Sequence, residues 1–522
     1  MTLFAERIGH SGAFSSPLVA FGSTLGLTLM SSILYFLMIV TYNIYFHPLA
    51  KFPGPMSCAA TRIPYLRAVL TGQVAQNSKL LHKEYGDVVR IAPNELSFVK
   101  GEAWKTIYGS RPGHGQNPKD SRIYPPTAKG VPSIILSNDE DHSRFRRTLS
   151  YAFSESSLRS QEPIVKGYVD LLIQRLHQNV NKGNTSLDMV AWYNFTTFDI
   201  IGDMAFGEPF NCLQNSAYHQ WVSMIFSNFR YASYSNVVKR FPASKFLLGL
   251  ITPAHIVTQR NWHIELTKEK VKSRLSMSND RADFFSHILK HKDTDRGLTF
   301  DEMITNGSTL IIAGSETTAT LLSGVTYFLL KNKRVLNTLV EEIRSSFQTE
   351  DEITIATCNQ LGYLQAVLTE ALRLYPPVPS PLPRIVKGYG DTIAGHWVPG
   401  GTIVSVPQLA AFHSSSNFTD PESFIPERFL GDPRFSDDSQ NVLQPFSVGP
   451  RNCIGRNLAN AEMRLILTRV LFNFDMELDV RSENWEKQNS FFLWDKSSLF
   501  VKLKPKCSTT AGRCSPVVSQ RT

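Results

Sequence analysis

The run Phe446-Ser-Val-Gly449-Pro-Arg451-Asn-Cys453-Ile-Gly455 places one cysteine in a loop between two glycines, with an arginine two residues and a phenylalanine seven residues before it. A lone cysteine is ordinarily a small buried hydrophobe, and a loop with an inert thiol is the plain alternative. The surroundings suit instead a thiolate that ligates a metal cofactor. Gly449 permits a tight turn, and Gly455 permits close backbone approach to a flat ligand. Backbone N–H groups just after Cys453 can point at the sulfur and stabilise its negative charge. Arg451 can pair with a carboxylate of the same cofactor, and Phe446 can shield the sulfur from water. Zinc is the weaker reading, because no second cysteine or histidine stands nearby at ligand spacing.

A second group of polar residues interrupts an apolar helix. Thr299-Phe-Asp-Glu302 is a capping box that opens an apolar-periodic stretch running to about Lys331, roughly 45 Å if helical throughout. In its middle stands Ala313-Gly314-Ser315-Glu316-Thr317-Thr318. Glycine costs about 1 kcal/mol there relative to alanine, and a desolvated acid costs more. The expectation is a local opening at Gly314 and Thr317, where freed carbonyls take a water or a hydroxyl. Glu316 and Thr317 would then form a short proton path. A bent helix with polar residues facing the surface is the alternative.

Charged groups elsewhere suit support. Glu370 and Arg373 are neighbours at i, i+3 on a helix from Leu361 to Tyr375, stopped by Pro376-Pro377, and Arg428 follows in Pro426-Glu-Arg428-Phe429. In Asp141-His142-Ser-Arg144-Phe-Arg146-Arg147, His142 and Arg146 share one helix face, whereas Arg144 and Arg147 fall on nearly the opposite one. Arg384 lies on an expected strand after Pro383; a basic surface helix is the alternative for the first cluster.

The spacing F-x-x-G-x-R-x-C-x-G resembles the haem-binding loop of the cytochromes P-450, the haem-thiolate monooxygenases, with every fixed position filled. The Ala313–Thr318 segment resembles that family's A/G-G-x-D/E-T-T/S signature in its glutamate variant, and Glu370-x-x-Arg373 with Pro426–Phe429 resembles the E-x-x-R and P-E-R-F elements. The resemblance implies haem b ligated axially by Cys453, with Phe446, Arg451, Gly455, Ala313 and Gly314 around it. Thr317 would hydrogen-bond dioxygen while Glu316 and waters supply protons. His142, Arg146 and Arg384 would reach the haem propionates, with His142 standing where the family usually has tryptophan, and Arg144 with Arg147 would face solvent or a redox partner. Glu370, Arg373 and Arg428 would form a structural ionic cluster. The implied fold is a mainly α, single-domain P-450 fold with small β-sheets. His142–Ser154 and Lys51-Phe-Pro-Gly-Pro resemble filamentous-fungal secondary-metabolism members, the isotrichodermin-hydroxylase-like group among them. The resemblance implies hydroxylation or epoxidation of a hydrophobic terpenoid, polyketide or alkaloid, with electrons from NADPH through a separate reductase and cytochrome b5 as a further partner. A reductase-independent isomerase or dehydratase and a non-catalytic haem sensor are the alternatives. The Glu316–Thr317 pair weighs against the isomerase, whose kind often lacks it, and a sensor would need no proton path, so Thr317→Ala should leave a sensor's function untouched.

The chain has 522 residues, 42% hydrophobic and 11% aromatic, which is the composition of a globular chain with a large core. Its six cysteines (Cys58, Cys212, Cys358, Cys453, Cys507, Cys514) form no paired framework, as in a reducing compartment. No nucleic-acid motif accompanies the net charge of +9. From Ser11 to Phe46 no residue is charged. The strongest part, 18–45, is long enough to span a bilayer and ends in interfacial aromatics, so an uncleaved anchor is favoured over a signal peptide. Lys51, Arg62 and Arg67 follow it with no acid before Glu84. That bias puts the catalytic body in the cytosol, and the resemblance to microsomal members implies a single-pass anchor in the endoplasmic reticulum membrane. The sequons at Asn184, Asn194, Asn306 and Asn417 would then be unused. The expected order is a short segment 1–17, the anchor 18–45, a proline-rich hinge 46–56, the catalytic domain 57–505 and a mobile tail 506–522. Strands are expected at Val88–Ile91, Leu96–Val99 and Ile403–Val406. The apolar, proline-punctuated segments Tyr124–Ile135 and Pro377–Leu382 would line the haem site, suiting an uncharged substrate.

Overall fold

The uncharged amino-terminal run folds into one helix, α1 (Pro17–Thr41), continued by a π turn over Tyr42–Phe46. Phe21–Phe46 is a run of 26 residues with mean hydropathy 1.9 and no fully buried residue; only its end meets the body, where Asn43 Nδ2 donates to the Ala60 carbonyl at 3.0 Å. At 1.5 Å per residue it reaches about 39 Å, more than a bilayer core requires. The computed structural model describes residues 17–506 except 121, 123, 125–129, 222–232, 235–236, 238–253, 278–280, 282 and 291–296. The expected segment 1–17 but for Pro17, the expected tail beyond Lys506, the centre of the Tyr124–Ile135 loop, and Cys507 and Cys514 lie outside the described residues.

The proline segment after the anchor, expected as a hinge, packs against the body. Leu49 and Phe52 are buried in the smaller of the two apolar cores. The Arg90 N–H donates to the Pro53 carbonyl at 2.7 Å. Gly54 adopts φ +155°, and a Cβ there would stand 2.5 Å from the Arg90 carbonyl oxygen. The segment is therefore part of the body, because its apolar side chains find a core before the chain can swing.

The helices that position the site are α2 (Asp139–Ser150), α3 (Met189–Phe206), α4 (Ala254–Ser276), α5 (Phe300–Lys331), α6 (Gly362–Leu374) and α7 (Arg456–Asn473). α3 is buried all round except at Ala191, as a helix without a polar stripe must be. The expected capping box starts α5: the Glu302 N–H donates to Thr299 Oγ1, and the Thr299 N–H donates to a Glu302 carboxylate oxygen. α5 runs unbroken to Lys331 and packs along α3. At their crossing a Cβ on Gly314 would stand 2.6 Å from Ile201 Cδ1. Gly314 thus admits the neighbouring helix and α5 stays continuous there, which corrects the expected local opening.

The strands fall where expected. β1 (Val88–Ala92), β2 (Glu95–Phe98), β3 (Arg384–Ile385) and β4 (Ile403–Ser405) form a sheet in the order β1-β2-β4-β3. β2 and β4 are parallel, with Glu95 opposite Ile403, and β3 pairs antiparallel to β4 with Arg384 opposite Val404. The remaining sheets are of two or three short strands, so the fold is mainly helical.

Glu370 and Arg373 on α6 are fully buried and bonded at 2.7 Å, and Arg428 Nε donates to Glu370 at 3.2 Å. Arg428 also pairs with buried Asp438, an acid the spacing did not reveal. Two acids against two arginines leave the cluster neutral. Arg373 further donates to the carbonyls of Phe412, Pro421 and Ser423, tying α6 to the loop that precedes Arg428. Three of the four sequon asparagines, Asn194, Asn306 and Asn417, are 1–2% exposed, and only Asn184 is open. Asn417 Nδ2 donates to the Val99 and Ala411 carbonyls, while Asn306 Oδ1 accepts from the Ile134 N–H. These three amides hold the core together.

Candidate active site

The cysteine loop is built by backbone geometry. The Cys453 N–H donates to the Phe446 carbonyl at 2.9 Å, and the Asn452 N–H to the Gly449 carbonyl at 3.1 Å. Gly449 has φ +77°, and a Cβ there would meet the Tyr108 carbonyl oxygen at 2.3 Å, so glycine is required twice over. At Gly455 a Cβ would meet only Phe153, at 3.9 Å. The protein itself does not fill that space, which matches a cradle for a flat group. Phe446 packs against the main core, with the Arg456 guanidinium 5.7 Å from its ring.

Cys453 is exposed, yet protein surrounds it so closely that desolvation is the largest influence on its thiol and raises its pKa. Its sulfur therefore faces a recess in the body, not the outer surface. The Gly455 N–H, Arg146 and Arg456 all favour the thiolate but do not outweigh burial. A metal cation at the sulfur would displace the proton outright. Cys58, Cys212 and Cys358 are buried; burial raises the pKa of each, to about 12 for Cys212 and about 11 for Cys358.

Beside the loop, buried cations outnumber their acids, Asp139 being the one carboxylate paired with them among the described residues. Arg451 donates from Nη2 to the Ser137 carbonyl at 2.8 Å and to Asp139 at 3.0 Å, but its buried Nε and Nη1 have no protein partner. Arg384 donates from Nη1 to the Asn117 carbonyl at 3.1 Å, and its Nε is likewise unpartnered. Lys119, which the spacing did not single out, joins them: burial, then Arg384 and Arg451, hold its pKa down at about 7. His142 is pushed down to about 4 by burial and by Arg451, Arg146 and Lys119, so its imidazole is neutral. Like charges this close, with unused guanidinium nitrogens, fit a group carrying carboxylates. The thiol in its recess, the open cradle at Gly455 and this cationic cluster together fit haem with its propionates.

Arg146, expected as a propionate ligand, and Arg144, expected to face solvent or a redox partner, are placed differently. Arg146 donates from Nη1 to the Asn452 carbonyl and from Nη2 to Asn452 Oδ1 at 2.6 Å, so it clamps the cysteine loop. Arg144 does not face solvent: it pairs with Glu302 at 2.5 Å and with Asp141 at 3.0 Å, tying α2 to the start of α5. Arg147 is exposed, as expected. The Pro377–Leu382 turn follows α6 closely, and the Pro376 carbonyl before it accepts the Trp494 indole N–H at 2.8 Å.

On α5 a band of open or half-buried residues, Thr305, Ser308, Thr309, Ile312, Ala313 and Thr317, winds at spacings of three and four through a largely buried helix. Ala313 is exposed although it lies along a core helix, flanked by half-buried Ile312 and Gly314 and then by buried Ile311 and Ser315. Thr317 Oγ1 donates to the Ala313 carbonyl at 2.7 Å. Glu316 lies elsewhere. It is buried, its Oε1 accepts from Lys496 Nζ, and Lys496 also donates to Thr320 at 2.6 Å. Burial raises the Glu316 pKa against the pull of Lys496, and Oε2 has no partner. The acid and the alcohol do not share one face, because successive helical residues point about 100° apart. Glu462 on α7 is a further buried acid, pushed up to about 8, with Thr318 of α5 hydrogen-bonded to it.

A cysteine presented in a recess, backed by the N-terminus of α7 and faced by a cationic cluster, defines a haem-thiolate protein. The family model described as Cytochrome P450 matches residues 59–503, so the chain belongs to the cytochrome P450 family. It is 46% identical over 485 residues to cytochrome P450 monooxygenase lcsI of Purpureocillium lilacinum, covering 92% of this chain and 94% of the relative. Identity to cytochrome P450 monooxygenase astA of Talaromyces wortmannii is 46% over 482 residues, 92% of this chain and 97% of the relative. Averantin hydroxylase of Dothistroma septosporum is 46% identical over 484 residues, 92% of this chain and 91% of the relative. The chain is a haem-dependent monooxygenase of the fungal secondary-metabolite type, with cysteine-ligated haem iron and electrons supplied by a reductase.

Proposed function

We propose that Cys453 is the axial ligand and that the open band of α5 is the wall of the substrate cleft above it, where an uncharged, mainly apolar small molecule is hydroxylated. The observation that carries this is the pair of openings in a closed core, at Ala313 and at Cys453. Haem bound there supplies oxygen activation and the oxidising power for attack on carbon–hydrogen bonds. Arg451, Arg384 and Lys119 hold its propionates, with neutral His142 as a donor. Arg146 fixes the loop through Asn452, and the Gly455 N–H steadies the sulfur. Thr317, by turning its hydroxyl off the Ala313 carbonyl, holds a proton in the cleft at Oγ1. Glu316 replenishes that proton through water once it leaves Lys496. The relative's name supports hydroxylation; terpenoid, polyketide and alkaloid skeletons all suit an apolar wall.

The same reading puts α1 in the endoplasmic reticulum membrane and the body in the cytosol, where an NADPH-dependent flavin reductase, with cytochrome b5 as a second donor, docks. The test is spectral and chemical. Reduced full-length protein under carbon monoxide is expected to give the thiolate-type Soret band, and Cys453→Ser to lose it. Product is expected only with NADPH, reductase and oxygen together. Turnover of an organic peroxide without any of the three would overturn the monooxygenase cycle proposed for this cleft.

A further inference from the structure

Every other serine or threonine along the open band of α5 returns its hydroxyl to its own helix: Thr305 to the Asp301 carbonyl, Thr309 to Thr305, Thr317 to Ala313. Ser308 does not. Its Oγ lies 2.6 Å from Nε2 of His263 on α4, and it makes no other hydrogen bond among the described residues. The opposite ring nitrogen of His263, Nδ1, accepts from the indole N–H of fully buried Trp221.

The direction of this chain is forced. An indole nitrogen only donates, so Nδ1 must carry a lone pair and the ring proton must sit on Nε2. Burial keeps the ring neutral by holding its pKa at about 4. The Nε2–H therefore donates to Ser308 Oγ, and the hydroxyl proton of Ser308 is left pointing away from His263 with no acceptor of its own. A donor of this kind, fixed from behind and partly open on an apolar wall, recognises an oxygen atom.

We propose that Ser308 is a substrate-recognition residue that donates a hydrogen bond to a carbonyl or ether oxygen of the substrate, and that Trp221 and His263 are the positioning residues that aim it. This rests on reading the open band of α5 as the substrate wall. It narrows the substrate class to apolar skeletons that bear an oxygen acceptor on the side facing α4, which excludes plain hydrocarbons as the natural ligand.

The test uses the haem-loaded full-length protein in membrane vesicles, titrated by its Soret shift with anthraquinone and with anthracene, rigid fused-ring molecules that differ in carbonyl oxygens. The wild-type protein is expected to bind anthraquinone about tenfold more tightly, the yield of one well-placed hydrogen bond. Ser308→Ala and His263→Leu should bring that ratio to about one. His263→Gln should keep it, because its amide oxygen can accept from Trp221 while its N–H donates to Ser308. A wild-type protein that binds both probes equally or neither, or a Ser308→Ala variant that keeps the preference, overturns the proposal. The haem-thiolate reading is judged separately, on the carbon monoxide spectrum of the same preparation.

Discussion

Single side chains show how far the environment overrides ordinary ionisation. Glu462 is the clearest case, because no cation lies near enough to oppose its burial. Its pKa rises from 4.5 to about 8, so between those values the folded protein binds a proton that the unfolded chain has lost. The associated stability is fully present below about pH 4.5 and is lost as the pH rises through about 8. Glu462→Gln keeps an acceptor for Thr318 and removes the titration. It is expected to flatten the pH dependence of unfolding across that window, gaining of the order of a few kcal/mol at pH 8, as read from denaturant melts at several pH values. Glu316 differs because Lys496 compensates it. Lys496→Met would leave that carboxyl buried without its cation and force it neutral. The expected result is faster NADPH consumption per product formed, measured as peroxide release, with the carbon monoxide band retained.

At the scale of elements, two contacts decide whether the site is held. Gly314→Ala puts a methyl group 2.6 Å from Ile201 Cδ1, so the buried Ile201 side chain must turn aside or α3 must shift from α5. Overpacking of this kind costs about 1–3 kcal/mol. Ile201→Val in the same chain should recover part of that loss, and a double-mutant cycle on thermal unfolding reads the coupling directly. Equal effects of Gly314→Ala with and without the second change would show that the glycine serves something other than helix approach. The ionic cluster tolerates less. Arg428→Leu leaves buried Asp438 without a guanidinium and Glu370 with Arg373 alone, which should cost about 3–5 kcal/mol and lower the melting temperature and haem content together.

Across the whole molecule, the boundary between anchor and body falls later than a free hinge would put it. Removal of residues up to Phe46 is expected to give a soluble protein with an unchanged carbon monoxide spectrum, since no residue of the span belongs to either apolar core. Removal through Pro55 takes Leu49 and Phe52 out of the smaller core. At about 2 kcal/mol for each buried side chain it should lower stability by about 4 kcal/mol. Comparing the thermal melts of the two truncations checks this, and identical melts would mean that the segment only tethers.

Local spacing alone determined the parts whose chemistry is completed within a few residues. The Cys453 loop, the capping box at Thr299, the Glu370–Arg373 pair and the strands around Val88, Leu96 and Ile403 were all legible, because turn geometry and helical neighbours operate over short distances along the chain. The apolar run before His47 was legible for the same reason. Contacts between distant positions were not. Lys496 stands 180 residues from Glu316, and nothing in the pattern around either announces the other. Lys119, Asp438 and the Trp221–His263–Ser308 chain are of that kind, as is the use of Gly314 to admit Ile201 in place of a local opening. Which face a polar residue takes in a buried helix depends on what packs opposite, and only the assembled fold supplies that neighbour.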